Sequence, residues 1–235
     1  MQRAVLVALL CLLAGTASTD ILAQTTPQQN SGGEHDLQRS DRGHHRSFQN
    51  AEHWAKQFDD PARDAWQKPD QVLDALQLQP GSRVADLGAG TGYFTVRIAT
   101  RIPDGKLFAA DVEGDMVRYL RERAEREHLH VIVAVLASAA SPNLPEPVDL
   151  VLVVDTYHHI DNRVAYFQAL RRSFRTDGRL AIVDFKLDSP QGPPPQHRVP
   201  PEKAIAELTA AGYSLVERHD FLPRQYFLIF QASSS

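Results

Sequence analysis

The sequence predicts an open α/β fold, a doubly wound, mostly parallel seven-stranded sheet with helices on both faces in three α/β/α layers. Three observations carry this. A short apolar run at 83–87 breaks into glycines at 88, 90 and 92 and then turns amphipathic, which spells a strand, a tight turn and a helix start. Strand-length apolar runs then alternate with helix-length amphipathic stretches toward the C-terminus, the pattern of parallel strands joined by helical crossovers. One of them, Val148–Asp155, is so apolar that it reads as a strand covered on both faces by helices.

The elements follow in order. Residues 1–23 read as an export signal: Arg3 supplies a positive start, Ala4–Leu13 is apolar, and Gly15-Thr16-Ala17 or Ile21-Leu22-Ala23 offers a small-residue cleavage site. The run is too short to span a membrane comfortably. A periplasmic or secreted protein is expected, with an uncleaved N-terminal anchor as the alternative and no stable membrane insertion after processing. Cys11 is the only cysteine, so a processed chain has no disulfide, thiolate nucleophile or cysteine-bound zinc. Residues 24–50 are polar and Gly/Ser/Gln-rich, a disordered linker that carries His35, His44 and His45. The domain proper is expected over 51–235. With 43% hydrophobic and 23% charged residues among 235, the chain has material for one globular domain plus extras. Its net charge of −4 and its lack of any dense Lys/Arg run exclude a phosphate-tracking surface, and with it nucleic acid as a partner.

Trp54, Phe58 and Trp66 lie among charges in the first stretch, suited to packing on the sheet or to capping a ligand. Pro69 opens a helix to Leu76, and Pro80-Gly81 turns the chain into the first strand. After the glycines a helix runs from Tyr93 to Arg101 and stops at Pro103-Asp104-Gly105. Then come a strand at Lys106–Asp111, a charged helix at Asp115–His128, a strand at His130–Leu136 and the strand Val148–Asp155. A helix is expected at Asn162–Arg175, a tight turn at Thr176-Asp177-Gly178 and a strand at Arg179–Phe185. The proline-rich stretch 189–201 is stiff and extended, with His197 and Arg198 projecting. A helix at Glu202–Ala211 ends on Gly212, and strands at Tyr213–Arg218 and Gln225–Phe230 close the chain.

The glycine loop removes Cβ atoms where a ligand can approach the main chain, which points to a nucleotide-type cofactor at the C-terminal end of the first strand. The dinucleotide fingerprint is broken, because its third glycine position is Tyr93. Asp86, two residues before the first glycine, is placed to accept from an amino group or to hold the loop's own N–H groups. With that acid, Val84-Ala85-Asp86-Leu87-Gly88-Ala89-Gly90-Thr91-Gly92 resembles the first motif of the class I S-adenosylmethionine-dependent methyltransferases. The resemblance extends over about 51–231 and implies S-adenosyl-L-methionine as cofactor, held by Asp86, Gly88, Ala89, Gly90, Gly92 and Tyr93. Asp111 ends the second strand 19 residues past Gly92, near the spacing at which an acid reaches a ribose, though a helix cap would use the same residue. Val112 would then lie on the adenine face, with Met116 closing that wall. Where relatives bring an acid to the adenine amino group, this chain has Ala137-Ser138-Ala139, and Ser138 is left to accept one hydrogen bond. Asp155, which ends the strand beside the first, completes the expected cofactor-binding set.

Tyr157, His158 and His159 follow Asp155 near the methyl donor and are the candidate catalytic groups, one histidine serving as general base. The Asp-Pro-Pro-Tyr signature of amino-directed relatives is absent. The closing strand pair resembles the family's hairpin, whose last strand inserts between the fifth and sixth. The leading expectation is methyl transfer to a small-molecule acceptor. An NAD-linked oxidoreductase and a binding protein without turnover are the alternatives. A metal-assisted variant would use Asp155 and Asp184, but it lacks an evident third ligand, and no metal is expected.

Overall fold

The computed structural model describes residues 48–233. The expected signal and all but the end of the expected linker lie outside these residues. Phe48, Gln49 and Asn50, assigned to the linker, are already engaged with the fold: Phe48 N–H donates to Glu113 at 3.0 Å and Asn50 caps the first helix.

The chain passes through α1 (Ala51–Phe58), α2 (Asp64–Gln67), α3 (Pro69–Ala75), β1 (Arg83–Leu87), α4 (Tyr93–Arg101), β2 (Lys106–Asp111), α5 (Gly114–Arg126) and β3 (Ile132–Leu136). It continues through β4 (Val148–Val154), α6 (Arg163–Leu170), β5 (Phe174–Phe185), α7 (Pro201–Ala210), β6 (Tyr213–His219) and β7 (Gln225–Ala232). The seven strands form one sheet in the order β3-β2-β1-β4-β5-β7-β6. β1 to β5 pair in parallel, and β7 runs antiparallel to both β5 and β6. This is the expected sheet, with the last strand inserted before the sixth.

Strand alternation builds two cores. Ala85, Leu87, Val151, Val153 and Ile182 point to one face and meet Phe167 and Leu170 of α6 and Leu208 of α7. Val84, Leu150, Leu152 and Val183 point to the other and meet Leu73 of α3 and Phe94 and Ile98 of α4. The central strands are buried on both faces, as their apolar composition requires.

The chain between α6 and β5 departs from expectation. α6 stops at Leu170 rather than Arg175, and β5 begins at Phe174, through the segment expected to turn. Phe174 pairs with Val148 across an irregularity at the start of β4, and its ring packs edge-on against Tyr213 at 6.0 Å. That aromatic contact holds 174–178 extended against the sheet. The local bend survives as Asp177, whose φ is 60°. The proline-rich stretch also differs from expectation: it makes a short helical turn at Pro195–His197, and Arg198, expected to project, points inward and organises the loop. Its guanidinium donates to the carbonyls of Lys186, Leu187, Ser189, Gln191 and Pro193, so it shapes the loop from within.

Candidate functional site

The loop between β1 and α4 has Gly88, Gly90 and Gly92 all at positive φ (73°, 55° and 95°), where an L side chain is strained. At Gly88 the space is filled as well: a Cβ would lie 2.1 Å from the Thr156 hydroxyl, so the end of β4 sits directly on the loop. The N–H groups of Gly88 and Ala89 both donate to Ala110 O at the end of β2.

Asp111 completes the turn. One carboxylate oxygen accepts from Gly90 N–H and the other from Glu113 N–H, each at 2.9 Å, and the residue is 8% exposed. Burial raises its pKa while those two N–H bonds oppose the rise. The acid expected at a ribose thus also holds the glycine loop and caps the start of α5. Asp86, offered two partners by the sequence, takes a third. Its carboxylate accepts from Thr95 Oγ1 of α4 at 2.7 Å, and burial, with a smaller push from Asp111, lifts its pKa to about 6.

Beside Asp111 lie the exposed side chains of Val112 and Leu136, the latter paired in register with Asp111. Together they make an apolar shelf at the ends of β2 and β3. Met116, on the inner side of α5, is buried at 1% exposure. Tyr93 is held inside the protein: the Arg63 and Arg97 guanidinium groups each lie 4.1 Å from its ring centroid and its hydroxyl donates to Asp64. Ser138 is exposed and its hydroxyl is used in a turn, bonded to Ser141 N and O.

A roof crosses these strand ends. Phe58 of α1 stacks on Trp54 at 5.4 Å, and its ring lies about 3.4 Å from where a Gly90 Cβ would stand. Phe48 meets Trp54 and Phe58 and, edge-on at 5.9 Å, His159. Farther along, Trp66 lies over Phe185 at the end of β5. Phe58 and Trp54 thus lie over the glycine loop, and Trp66 lies over the end of β5.

At the end of β4, Asp155 adopts φ 54° and accepts from Gln67 Nε2 at 3.0 Å and from Gln225 Nε2, with Arg63 at 3.5 Å. Burial lifts its pKa to about 6, against the pull of Arg63. His158 is buried, with Nδ1 at 2.9 and 3.0 Å from the two oxygens of Asp184. Its own N–H and that of Phe185 also donate to Asp184. Asp155 and Asp184, weighed as metal ligands, are therefore each bonded to protein donors. Among the described residues no group of three or more His, Cys, Asp or Glu is arranged to hold a metal ion.

Tyr157 corrects an expectation. It is fully buried on the α6 and α7 side, stacked on Phe167, with its hydroxyl donating to Glu207 at 2.8 Å. Its position is that of a core residue, away from the exposed loop where the sequence placed it. Arg63, Gln67 and Gln225 were not among the expected site residues, and Asp184 was weighed only as a metal ligand; like Asp111 and Asp155, it is a carboxylate at the end of an apolar strand.

Comparison with known proteins agrees with this geometry. Residues 84–178 match the family model described as a methyltransferase domain. A crystal structure of a SAM-dependent methyltransferase from Aquifex aeolicus superposes with a TM-score of 0.70 at 25% identity, covering 75% of this chain and 95% of that one. The malonyl-[acyl-carrier protein] O-methyltransferase of Acetivibrio thermocellus is 29% identical over 133 residues, 56% of this chain and 46% of the relative. The 27-O-demethylrifamycin SV methyltransferase of Amycolatopsis mediterranei is 31% identical over 127 residues, 52% of this chain and 46% of the relative. The matched stretch spans less than half the length of these curated relatives. The fold is that of the class I S-adenosylmethionine-dependent methyltransferases, and residues 84–178 resemble that family's methyltransferase domain. S-Adenosyl-L-methionine is the cofactor of that class, and the residues present fit it. Gly90 has no Cβ to block approach to the main chain, a buried carboxylate lies beside an apolar shelf, and the buried Thr91 hydroxyl has no partner among the described residues.

Proposed function

We propose that the protein transfers a methyl group from S-adenosyl-L-methionine to a small-molecule acceptor at the C-terminal ends of β1, β2 and β4. The observation that carries this reading is the Asp111 carboxylate bonded to Gly90 N–H within a loop of three left-handed glycines. Asp111 retains acceptor capacity on both oxygens, since each carboxylate oxygen takes two donors. It is suited to a ribose diol, with Val112 and Leu136 offering their apolar surface to the adenine ring. Asp86, ionised above about pH 6, places negative charge behind the loop, where it favours a cationic amino group.

When bound, the cofactor supplies an activated methyl on a sulfonium, and such a transfer depends on alignment more than on acid-base power. The chain's contribution is to orient and to exclude water. Phe48, Trp54 and Phe58 cover the loop from above, and Thr156 fixes the end of β4 against it. His158 and His159 follow the end of β4, where the acceptor is proposed to lie, and the stacked Trp54 and Phe58 rings cover the loop.

Calorimetric titration of the chain from residue 48 onward tests this. S-Adenosylhomocysteine should bind and NAD should not. Heat from NAD with none from S-adenosylhomocysteine would replace this reading with that of a nicotinamide enzyme.

A further inference from the structure

We infer that His158 and Asp184 act as a proton-accepting pair, and that the methyl acceptor is accordingly a hydroxyl compound of the phenol or enol type. The inference rests on the methyl-transfer reading and deepens it.

Asp184 ends β5 with its side chain 2% exposed and receives four donor contacts: both oxygens meet His158 Nδ1, and the N–H groups of His158 and Phe185 are bound as well. A buried acid so placed fixes the imidazole tautomer, because Nδ1 must carry a proton to donate. The lone pair then resides on Nε2, for which no protein partner is present among the described residues. Fastening the loop to β5 needs only the backbone N–H of His158. The doubled contact at Nδ1 adds what a base requires: a fixed ring and a negative charge behind it.

The surroundings agree. The charged and titratable groups facing His158 are Asp155 at the end of β4, Asp184 in β5, Arg163 at the start of α6 and the adjacent His159 ring, centroid to centroid 4.1 Å. Burial pulls the His158 pKa down, but the bond and charge of Asp184, with Asp155 behind it, outweigh that and Arg163, so the net shift is upward. Strand β7 places two more polar groups here. Tyr226 and Gln225 pair in register with Asp184 and Phe185, and Tyr226 Oη and Gln225 Oε1 are buried without a partner.

The chemistry selects the acceptor. A carboxylic acid is already ionised at neutral pH and needs no base, and a neutral amine attacks through its lone pair before losing a proton. A phenol or enol hydroxyl gains most, since its oxygen becomes a strong nucleophile only as the proton leaves. As the oxygen bonds to the methyl carbon, the carbon–sulfur pair stays with sulfur, giving a neutral thioether. The hydroxyl proton passes to His158 Nε2, so the positive charge of the sulfonium is conserved on the imidazolium, facing Asp184, until water removes the proton.

The test uses the chain saturated with S-adenosylhomocysteine for spectroscopy and S-adenosylmethionine for turnover, as wild type, H158Q and D184N. Imidazole proton resonances followed against pH should show one histidine titrating above the ordinary range, absent in H158Q and moved downward in D184N. Methyl transfer to 2-naphthol and 4-methylphenol should exceed transfer to benzoate and benzylamine, and H158Q should lower it about 100-fold or more. D184N should lower it less and displace its pH profile downward. The pair is disproved if D184N leaves the titration unmoved, or if H158Q turns over within twofold of wild type. The acceptor class is disproved if neither phenol is methylated. Unaltered S-adenosylhomocysteine affinity in H158Q shows that its site is intact. Failure of the wild type to bind that probe overturns the methyl-transfer reading itself, a different result from any of these.

Discussion

Asp86 shows how a single residue can oppose the fold that holds it. Its carboxyl ionises near pH 6 in the folded chain, against about 3.8 for an exposed aspartate, because burial disfavours the charge. The folded state therefore binds the proton more tightly than the unfolded one, and stability is lost as pH rises from about 4 through 6. The difference of about two pKa steps corresponds to roughly 3 kcal/mol. Asp86→Asn keeps an acceptor for Thr95 and removes the charge, so it should stabilise the ligand-free chain by up to about 3 kcal/mol at pH 7 and by little at pH 4. It should also weaken S-adenosylhomocysteine binding at pH 7. Urea unfolding at the two pH values decides: an equal effect at both would mean that charge burial is not the cause. The residue was legible in the sequence as a site acid, but its partner was not, since Thr95 lies nine positions on and only the turn into α4 brings the two together.

At the scale of elements, α5 serves as the anchor for the roof. Asp115 accepts from Ala51 N–H at 2.7 Å, Arg118 pairs with Glu52, and Arg123 joins Asp59 at 3.0 Å to the Thr91 carbonyl at 2.9 Å. Arg123 thus ties the end of α1 and the glycine loop to a single side chain. Arg123→Met keeps much of the apolar stem and loses both bonds, leaving the part-buried Asp59 charge without its guanidinium. It should destabilise the chain by about 1–3 kcal/mol and speed amide exchange over 51–58 and 89–92 more than elsewhere. Uniform exchange changes along the chain would mean that α1 and the loop are not coupled through it. Which elements the sequence disclosed follows the same logic. β1, the glycine loop and α4 were legible because glycine spacing and hydrophobic period are local signals. The start of β5 was not, because Thr176-Asp177-Gly178 has turn chemistry that is overridden by Phe174 packing on Tyr213, a partner 39 positions away. The roof was visible only as aromatics among charges, since its orientation is set by acids and arginines of α5.

Across the whole molecule, buried polar atoms without partners are unevenly placed. Five such side-chain atoms occur among the described residues: Asp59 Oδ1, Thr91 Oγ1, Arg171 Nε, Gln225 Oε1 and Tyr226 Oη. All but Arg171 lie near the C-terminal ends of the parallel strands; the antiparallel β7 brings two of them, on Gln225 and Tyr226, alongside Phe185 and Asp184. A buried hydroxyl left without a bond costs about 1–3 kcal/mol, so the fold carries this expense at the end where ligands are proposed to bind. Tyr226→Phe removes the unpaired oxygen and keeps the ring packed against the α6 and α7 face. It should stabilise the ligand-free chain by about 1 kcal/mol, read as a higher urea midpoint with an unchanged slope. If Tyr226 Oη serves the acceptor, the same variant should raise the KM for the acceptor while leaving S-adenosylhomocysteine affinity alone. A destabilised variant would show instead that the hydroxyl is bonded in solution, and the tyrosine would then belong to the core with Tyr157.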